Sequence, residues 1–336
     1  MTSRLSLAAL ALLLAAAPAS AQKVGTTSFQ FLKVMPSARG TAMGEAYTSL
    51  AEDAEALFWN PAGIATTTGH SVTATHIPYL IDTRLTSIGY AFDAGGLGQV
   101  GVQVQSVDYG DIAETRAENL GFNPDGTYNP GLTGNTFGPS AFAVGVSYAR
   151  NLTDRFATGI TAKYVYESLY DGDVSVGGAD VSTSAGAALF DVGIKYATGY
   201  RSLDIAMAVQ NFGPEVTFVD ESFSAPLTFR LGATGDLMGP DGMLMQDDTN
   251  RLTVAYDLLQ PNDYDQQMQF GAEYAFADVL SLRAGYKLNY DVEGFTFGAG
   301  LETDISQARL GVDYSYGGMG EFLEGVHRIT VGATLR

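Results

Sequence analysis

From about Ser71 to the C-terminus the sequence alternates, and that alternation limits the fold more than any other feature. Leu280, Leu282, Ala284, Tyr286, Leu288 and Tyr290 are separated by Ser281, Arg283, Gly285, Lys287 and Asn289. Successive side chains of a strand point to opposite faces, so a period of two describes a strand with one apolar and one polar face. Met268, Phe270, Ala272, Tyr274 and Phe276 repeat the rule against Gln267, Gln269, Gly271 and Glu273. So do Ile160, Ala162, Tyr164 and Tyr166 against Thr161 and Lys163, and Leu310, Val312, Tyr314 and Tyr316 against Arg309 and Asp313. Ile329, Val331, Ala333 and Leu335 alternate with Arg328, Thr330, Gly332 and Thr334 at the end.

About fourteen such segments follow from this pattern. They lie near 71–80, 84–93, 98–109, 141–150, 155–168, 187–197, 202–212, 227–235, 250–259, 266–277, 279–289, 293–303, 307–316 and 325–335. They run about nine to eleven residues, enough for a tilted strand to cross a bilayer, whereas soluble strands average five or six. Tyr286, Tyr290, Tyr314 and Tyr316 collect toward strand ends, as an interfacial girdle requires. Connections on one side are tight, such as 94–96, 151–154 and 277–278, and on the other include Gly110–Ser140, Leu169–Gly186 and Phe212–Ala225. That asymmetry belongs to barrels with short periplasmic turns and long outer loops. The class expected is all-β: a transmembrane antiparallel barrel of about fourteen strands, with membrane lipid as its surroundings. The long connection Gly235–Thr249, on the short side, does not fit. Gly, Pro, Asn and Asp make Gly110–Ser140 read as a turn-rich surface loop.

Charge excludes other classes. Asp and Glu number 37 against 18 Lys and Arg, a net charge of −19, so nucleic acid, which needs a basic stripe, is not an expected partner. The N-terminus reads as an export signal over residues 1–21: Arg4, an apolar run from Leu5 to Pro18, then Ala19-Ser20-Ala21 before a mature start at Gln22. The absence of Cys rules out disulfides and thiolate metal sites.

Ahead of the strands stands a different text, Ser37–Ala65. Ala42, Met43, Ala46, Tyr47, Leu50 and Ala51 fall at helical spacing and predict one apolar helical stripe. A second short turn is expected from Asp53 to Phe58, its acidic residues near the N-terminus where the helix dipole favours them. Asn60-Pro61 stops it, because Pro disfavours helical geometry in the residue before it.

Ser37-Ala38-Arg39-Gly40, Met43-Gly44, Ala46-Tyr47, Ala51-Glu52-Asp53-Ala54 and Trp59-Asn60-Pro61-Ala62-Gly63 resemble the N-terminal signature of the PorV/PorQ family, within the larger group of FadL-like outer-membrane barrels. After the export signal at 1–21, the resemblance implies an N-terminal hatch over 22–68 and a barrel over 69–336. It places Gly25–Thr68 in the periplasmic half of the lumen, with Asn60, Pro61 and Ala62 as the hatch turn. A buried Asn60 amide then needs partners in the barrel wall.

Chemistry is sparse. The only histidines are His70, His76 and His327, with no nucleophile at a defined offset. Gly96-x-Gly98-x-x-Gly101 matches a dinucleotide fingerprint by letters alone, since it lies between two strands. No catalytic residue, metal or cofactor is expected. Two readings remain. By resemblance, the chain is a docking component of type IX secretion that binds machinery subunits and exported cargo proteins. The alternative is FadL-like passive uptake of hydrophobic small molecules, in which Met43, Leu57, Phe58 and Trp59 line a pocket, or merely wedge the hatch in place. An open diffusion porin is disfavoured, because a hatch of about forty residues fills a lumen this narrow.

Overall fold

In the computed structural model every alternating segment is a strand. The structure describes residues 25–170, 172, 174–176, 179–321 and 323–335. The export signal expected over 1–21 and the mature start at Gln22 lie outside the described residues. In chain order the strands are β1 (His70–Pro78), β2 (Arg84–Asp93), β3 (Gln99–Asp108), β4 (Ser140–Asn151), β5 (Phe156–Ser168), β6 (Ser184–Ala197) and β7 (Asp204–Phe212). The second half is β8 (Thr228–Gly239), β9 (Asn250–Pro261), β10 (Gln267–Phe276), β11 (Leu280–Leu288), β12 (Phe295–Ile305), β13 (Ala308–Gly317) and β14 (Val326–Leu335).

Each strand pairs antiparallel with the next. β14 returns to β1, with His70 opposite Leu335 and His76 opposite Ile329, so the fourteen strands close and leave no free edge. Leu282, Tyr286 and Leu288 of β11 face outward, while Ser281, Arg283 and Lys287 are buried inside. Tyr290 departs from that phase. Asn289 takes φ 65° and turns Tyr290 inward, where its hydroxyl accepts a hydrogen bond from Gln269 Nε2 at 2.6 Å.

The outer connections contain structure of their own. Ile112–Phe122 and Tyr128–Phe137 form a long antiparallel hairpin instead of a loop. Its Asn, Asp and Gly residues serve the tip, where Asp125 Oδ1 accepts from Thr127 N at 2.9 Å, and the register shifts between Ala113 and Leu120. Val216–Phe218 and Glu221–Phe223 make a smaller hairpin. Gly235–Thr249 ceases to be a misfit in part because β8 runs on to Gly239. Met245–Gln246 then pairs in parallel with Met238–Gly239.

Residues 25–69 run through the lumen. They comprise a 3-10 turn (Gln30–Lys33), α1 (Ala38–Ala42), a 3-10 turn (Asp53–Glu55) leading into α2 (Ala56–Trp59), and a 3-10 turn (Pro61–Thr66). Ser37 caps α1, its Oγ accepting from Gly40 N at 3.1 Å. The single helical stripe expected beyond Thr41 does not form. Ala42, Met43, Ala46, Tyr47 and Ala51 are buried as the spacing suggests, but Gly44 and Glu45 have φ of 65° and 66°, which no right-handed helix tolerates. Contact with the wall imposes that break: a Cβ on Gly44 would lie 2.7 Å from Phe270 O and 2.8 Å from Tyr286 N.

The first part of this segment does not sit in the periplasmic half. Phe29 and Phe31 join an apolar cluster with Leu85, Val107, Val165, Leu189 and Phe218 toward the outer ends of the strands. Thr27 bridges Ser224 of the small outer hairpin's flank, and Lys33 Nζ pairs with Asp263 in the β9–β10 outer turn at 2.5 Å.

Candidate functional site

The inward face of the wall is polar because it must satisfy the backbone of the lumenal segment. Thr330 Oγ1 accepts from Ala38 N at 2.9 Å. Thr296 Oγ1 accepts from Gly44 N and donates to Ala42 O, both at 3.0 Å. Asp257 Oδ2 accepts from Tyr47 N and Thr48 N at 3.2 and 2.9 Å.

Charge completes the attachment. Arg39 of α1 makes a bidentate contact with Glu273 of β10, at 2.9 and 2.8 Å. Arg283 of β11 reaches the same carboxylate and Asp313 of β13, each at 2.5 Å. Signs therefore alternate from the lumenal segment across three wall strands. A second contact joins Glu45 to Lys287 at 2.6 Å, and Lys287 to Glu293 at 2.9 Å. Removing one member of such a buried set strands the other charge, which makes these contacts strong anchors.

Asn60 is fully buried. Its Nδ2 donates to Ile194 O in the wall and to Thr48 O, both at 3.2 Å, and its Oδ1 accepts from Ala62 N at 3.1 Å. Pro61 and Ala62 lie against Gly159, and Asn60 against Gly193, where any Cβ would collide with them. Trp59 packs edge-on to Tyr47 at 5.2 Å, with the Arg230 guanidinium 5.4 Å from its ring. Met43 seats over Gly271, and Leu57 over Gly101. Phe58 is half-buried, and its carbonyl accepts from Gln210 Nε2 at 2.9 Å.

A cavity of about 480 Å³ opens above this layer at the outer end, within the usual size range of ligand pockets. Its lining includes Phe31, Val34, Met35, Leu85, Val107 and Leu259, together with Arg230 and Arg328. Met43, Leu57, Phe58 and Trp59 do not line it. Leu57 and Phe58 border only a void of about 20 Å³, and Met43 and Trp59 are wedged between wall and segment. Residues 30–35, standing just before the Ser37 signature, contribute six of the lining side chains, and the rest come from the wall, the outer turns and Glu45. The three histidines face outward, His70 against Tyr90, His76 against Thr86 and His327 against Tyr314. Among the described residues no group of three or more His, Asp or Glu is placed to hold a metal ion.

The family model described as type IX secretion system protein PorV matches residues 17–261. The chain belongs to the PorV family. Its barrel is accordingly an outer-membrane barrel of the Gram-negative envelope. No curated protein matches this PorV-family chain by sequence. Among solved structures it is similar to the Pseudomonas putida toluene transporter TodX, at TM-score 0.57 and 13% identity over 88% of this chain and 96% of that one. A deltaS2 mutant of the TodX monoaromatic hydrocarbon channel gives TM-score 0.51 and 14% identity over 88% and 97%. A Pseudomonas aeruginosa FadL homologue aligns over 89% and 98%, at TM-score 0.49 and 11% identity. At these identities the TodX likeness shows the fold alone.

Proposed function

We propose that this chain is a docking component of type IX secretion, binding machinery subunits and exported cargo proteins at its outer rim, with the lumenal segment acting as a permanent hatch. The observation that carries the reading is the anchored lumen. Arg39–Glu273–Arg283–Asp313 and Glu45–Lys287–Glu293 tie the segment to β10, β11 and β13, and wall glycines hold it at van der Waals contact. A plug bound this way opposes passage through the barrel, so the surfaces left for function are the outer hairpins and mouth. Family membership supports the same reading. Affinity capture from outer-membrane extracts, followed by mass spectrometry, tests it: secretion-machinery subunits are expected, and recovery of bound lipid or hydrocarbon with no protein partner contradicts it.

A second reading has one observation in its favour. The outer cavity is large enough, and apolar enough along Phe31, Leu85, Val107 and Leu259, to hold a small hydrophobic molecule. In that reading the cavity is a binding site above the hatch.

A further inference from the structure

The hairpin Ile112–Phe137 is a two-stranded sheet that pairs with no other strand among the described residues. Two strands alone are marginal in water, and each leaves one edge of backbone groups open to a third. The two edges differ. On Tyr128–Phe137, Pro130 has no N–H. Gly131 N and Leu132 N of the same strand donate to Asn129 Oδ1 at 2.9 and 2.8 Å, and Asn135 N donates to Thr133 Oγ1 at 3.2 Å. Among the described residues no side chain takes an N–H of Ile112–Phe122, so that strand is the open edge. Leu120 and Phe122 on it are 53% and 76% exposed. Charge limits what can lie there. Asp108, Asp111, Glu118 and Asp125 are exposed on or beside the hairpin, and its only base, Arg116, is held by Glu114 at 2.8 Å. Asp82, Asp220, Asp265, Asp291 and Glu321 expose further acids on the neighbouring outer turns. The periplasmic turns, by contrast, expose Arg155 and Arg201 beside their acids. A second copy of this chain would bring the same acids to the edge, and lipid phosphates would bring more negative charge, so both are repelled.

We propose that Ile112–Phe122 takes a third strand along its open edge, an extended Lys- or Arg-rich segment of an exported protein. In such strand addition main-chain hydrogen bonds supply the affinity, and side chains alternating along the added strand supply the choice of partner. Basic residues of the segment meet Asp111 and Glu118, and its apolar residues cover Leu120 and Phe122. The acids serve twice, since they also keep the edge from pairing with another copy of itself. The inference rests on the docking reading and names the chemistry of the partner.

Purified full-length protein in nonionic detergent is titrated with a labelled peptide of alternating Lys and Thr while its anisotropy is followed. The peptide is about ten residues long, to match an eleven-residue strand. A Glu-Thr peptide of the same length and a Lys-Thr peptide N-methylated at every second residue serve as comparisons. Saturable binding of the Lys-Thr peptide is expected, with the Glu-Thr peptide silent and the N-methylated one weaker by about tenfold or more. Amide protection over residues 112–122 should rise when the Lys-Thr peptide is bound. Asp111→Lys combined with Glu118→Lys should weaken that peptide by about tenfold. Equal binding of the N-methylated peptide overturns strand addition, because charge alone then suffices. Equal binding of the Glu-Thr peptide overturns the basic partner. If the double variant loses the hairpin, the N-methylated peptide and the protection at 112–122 decide alone. Binding of none of the peptides overturns the inference; capture of secretion-machinery subunits from outer-membrane extracts by the same preparation then leaves docking standing, and no capture removes both.

Discussion

Gly285 shows how far single residues control the lumen. A Cβ there would collide with the Gly44 nitrogen, so the missing side chain is the seat in which Met43 and Gly44 rest. Gly285→Val should cost about 1–3 kcal/mol through overpacking and lower the thermal unfolding midpoint. Gly332→Val, whose nearest neighbour to a Cβ is 3.7 Å away, should be tolerated; equal effects at the two sites would contradict the seat. Glu273 serves Arg39 and Arg283 together. Glu273→Gln takes the ion-pair partner from half-buried Arg39 and leaves buried Arg283 with Asp313 alone, an expected loss of about 1–3 kcal/mol, with faster proteolysis of the lumenal segment as the direct measurement. At this scale the alternation already placed Glu273, Arg283, Lys287 and Arg328 on the polar face. It misplaced Tyr290, because one left-handed residue reverses the phase and leaves no trace in hydropathy. For Met43 and Trp59 the sequence left lining and wedge both open, because side-chain type does not tell one from the other.

Strands were legible one by one because each carries its own local pattern. The hairpin Ile112–Phe137 was not, since both its faces meet water and alternation is lost there. Charge holds it instead. Glu114 accepts from Thr133 Oγ1 at 2.7 Å, from Arg116 Nε and Nη2 at 3.0 and 2.8 Å, and from Tyr170 Oη at 2.9 Å. These bonds, Thr133 first and then Arg116 and Tyr170, push its carboxyl down from 4.5 to about 2. A carboxylate with a lowered folded value contributes stability above its unfolded value near 4.5 and loses it as pH falls through about 2. The amide protection factors across residues 112–137, taken relative to the intrinsic rate at each pH, should therefore be high at pH 6 and fall between about pH 4.5 and 2. Glu114→Gln should show low protection at pH 6 already; protection unchanged in that variant would remove Glu114 as the clasp. The helix expected from Thr41 to Ala51 failed for the opposite reason. Gly44 and Glu45 take their dihedrals from the wall, a contact across more than two hundred positions of chain that spacing along 41–51 does not carry.

For the whole molecule, closure of β1 on β14 removes every edge of the barrel wall, and a lipid-facing apolar surface surrounds a lumen lined with Thr, Ser, Gln and ion pairs. The inward polarity reads as channel-like in sequence, yet in the structure much of it is consumed by the backbone and charges of residues 37–66. What remains is a cavity at the outer end and a set of outer hairpins, of which 112–137 is the longest. We propose that the barrel works by binding proteins at that rim and not by conducting solutes. Affinity capture from outer-membrane extracts with the intact protein, and with a variant whose residues 112–137 are replaced by a short Gly-Ser turn, tests it most directly. Mass spectrometry should find secretion-machinery subunits with the intact barrel and lose them with the equally folded variant. Capture that is the same with both, or no protein partner with either, would contradict it.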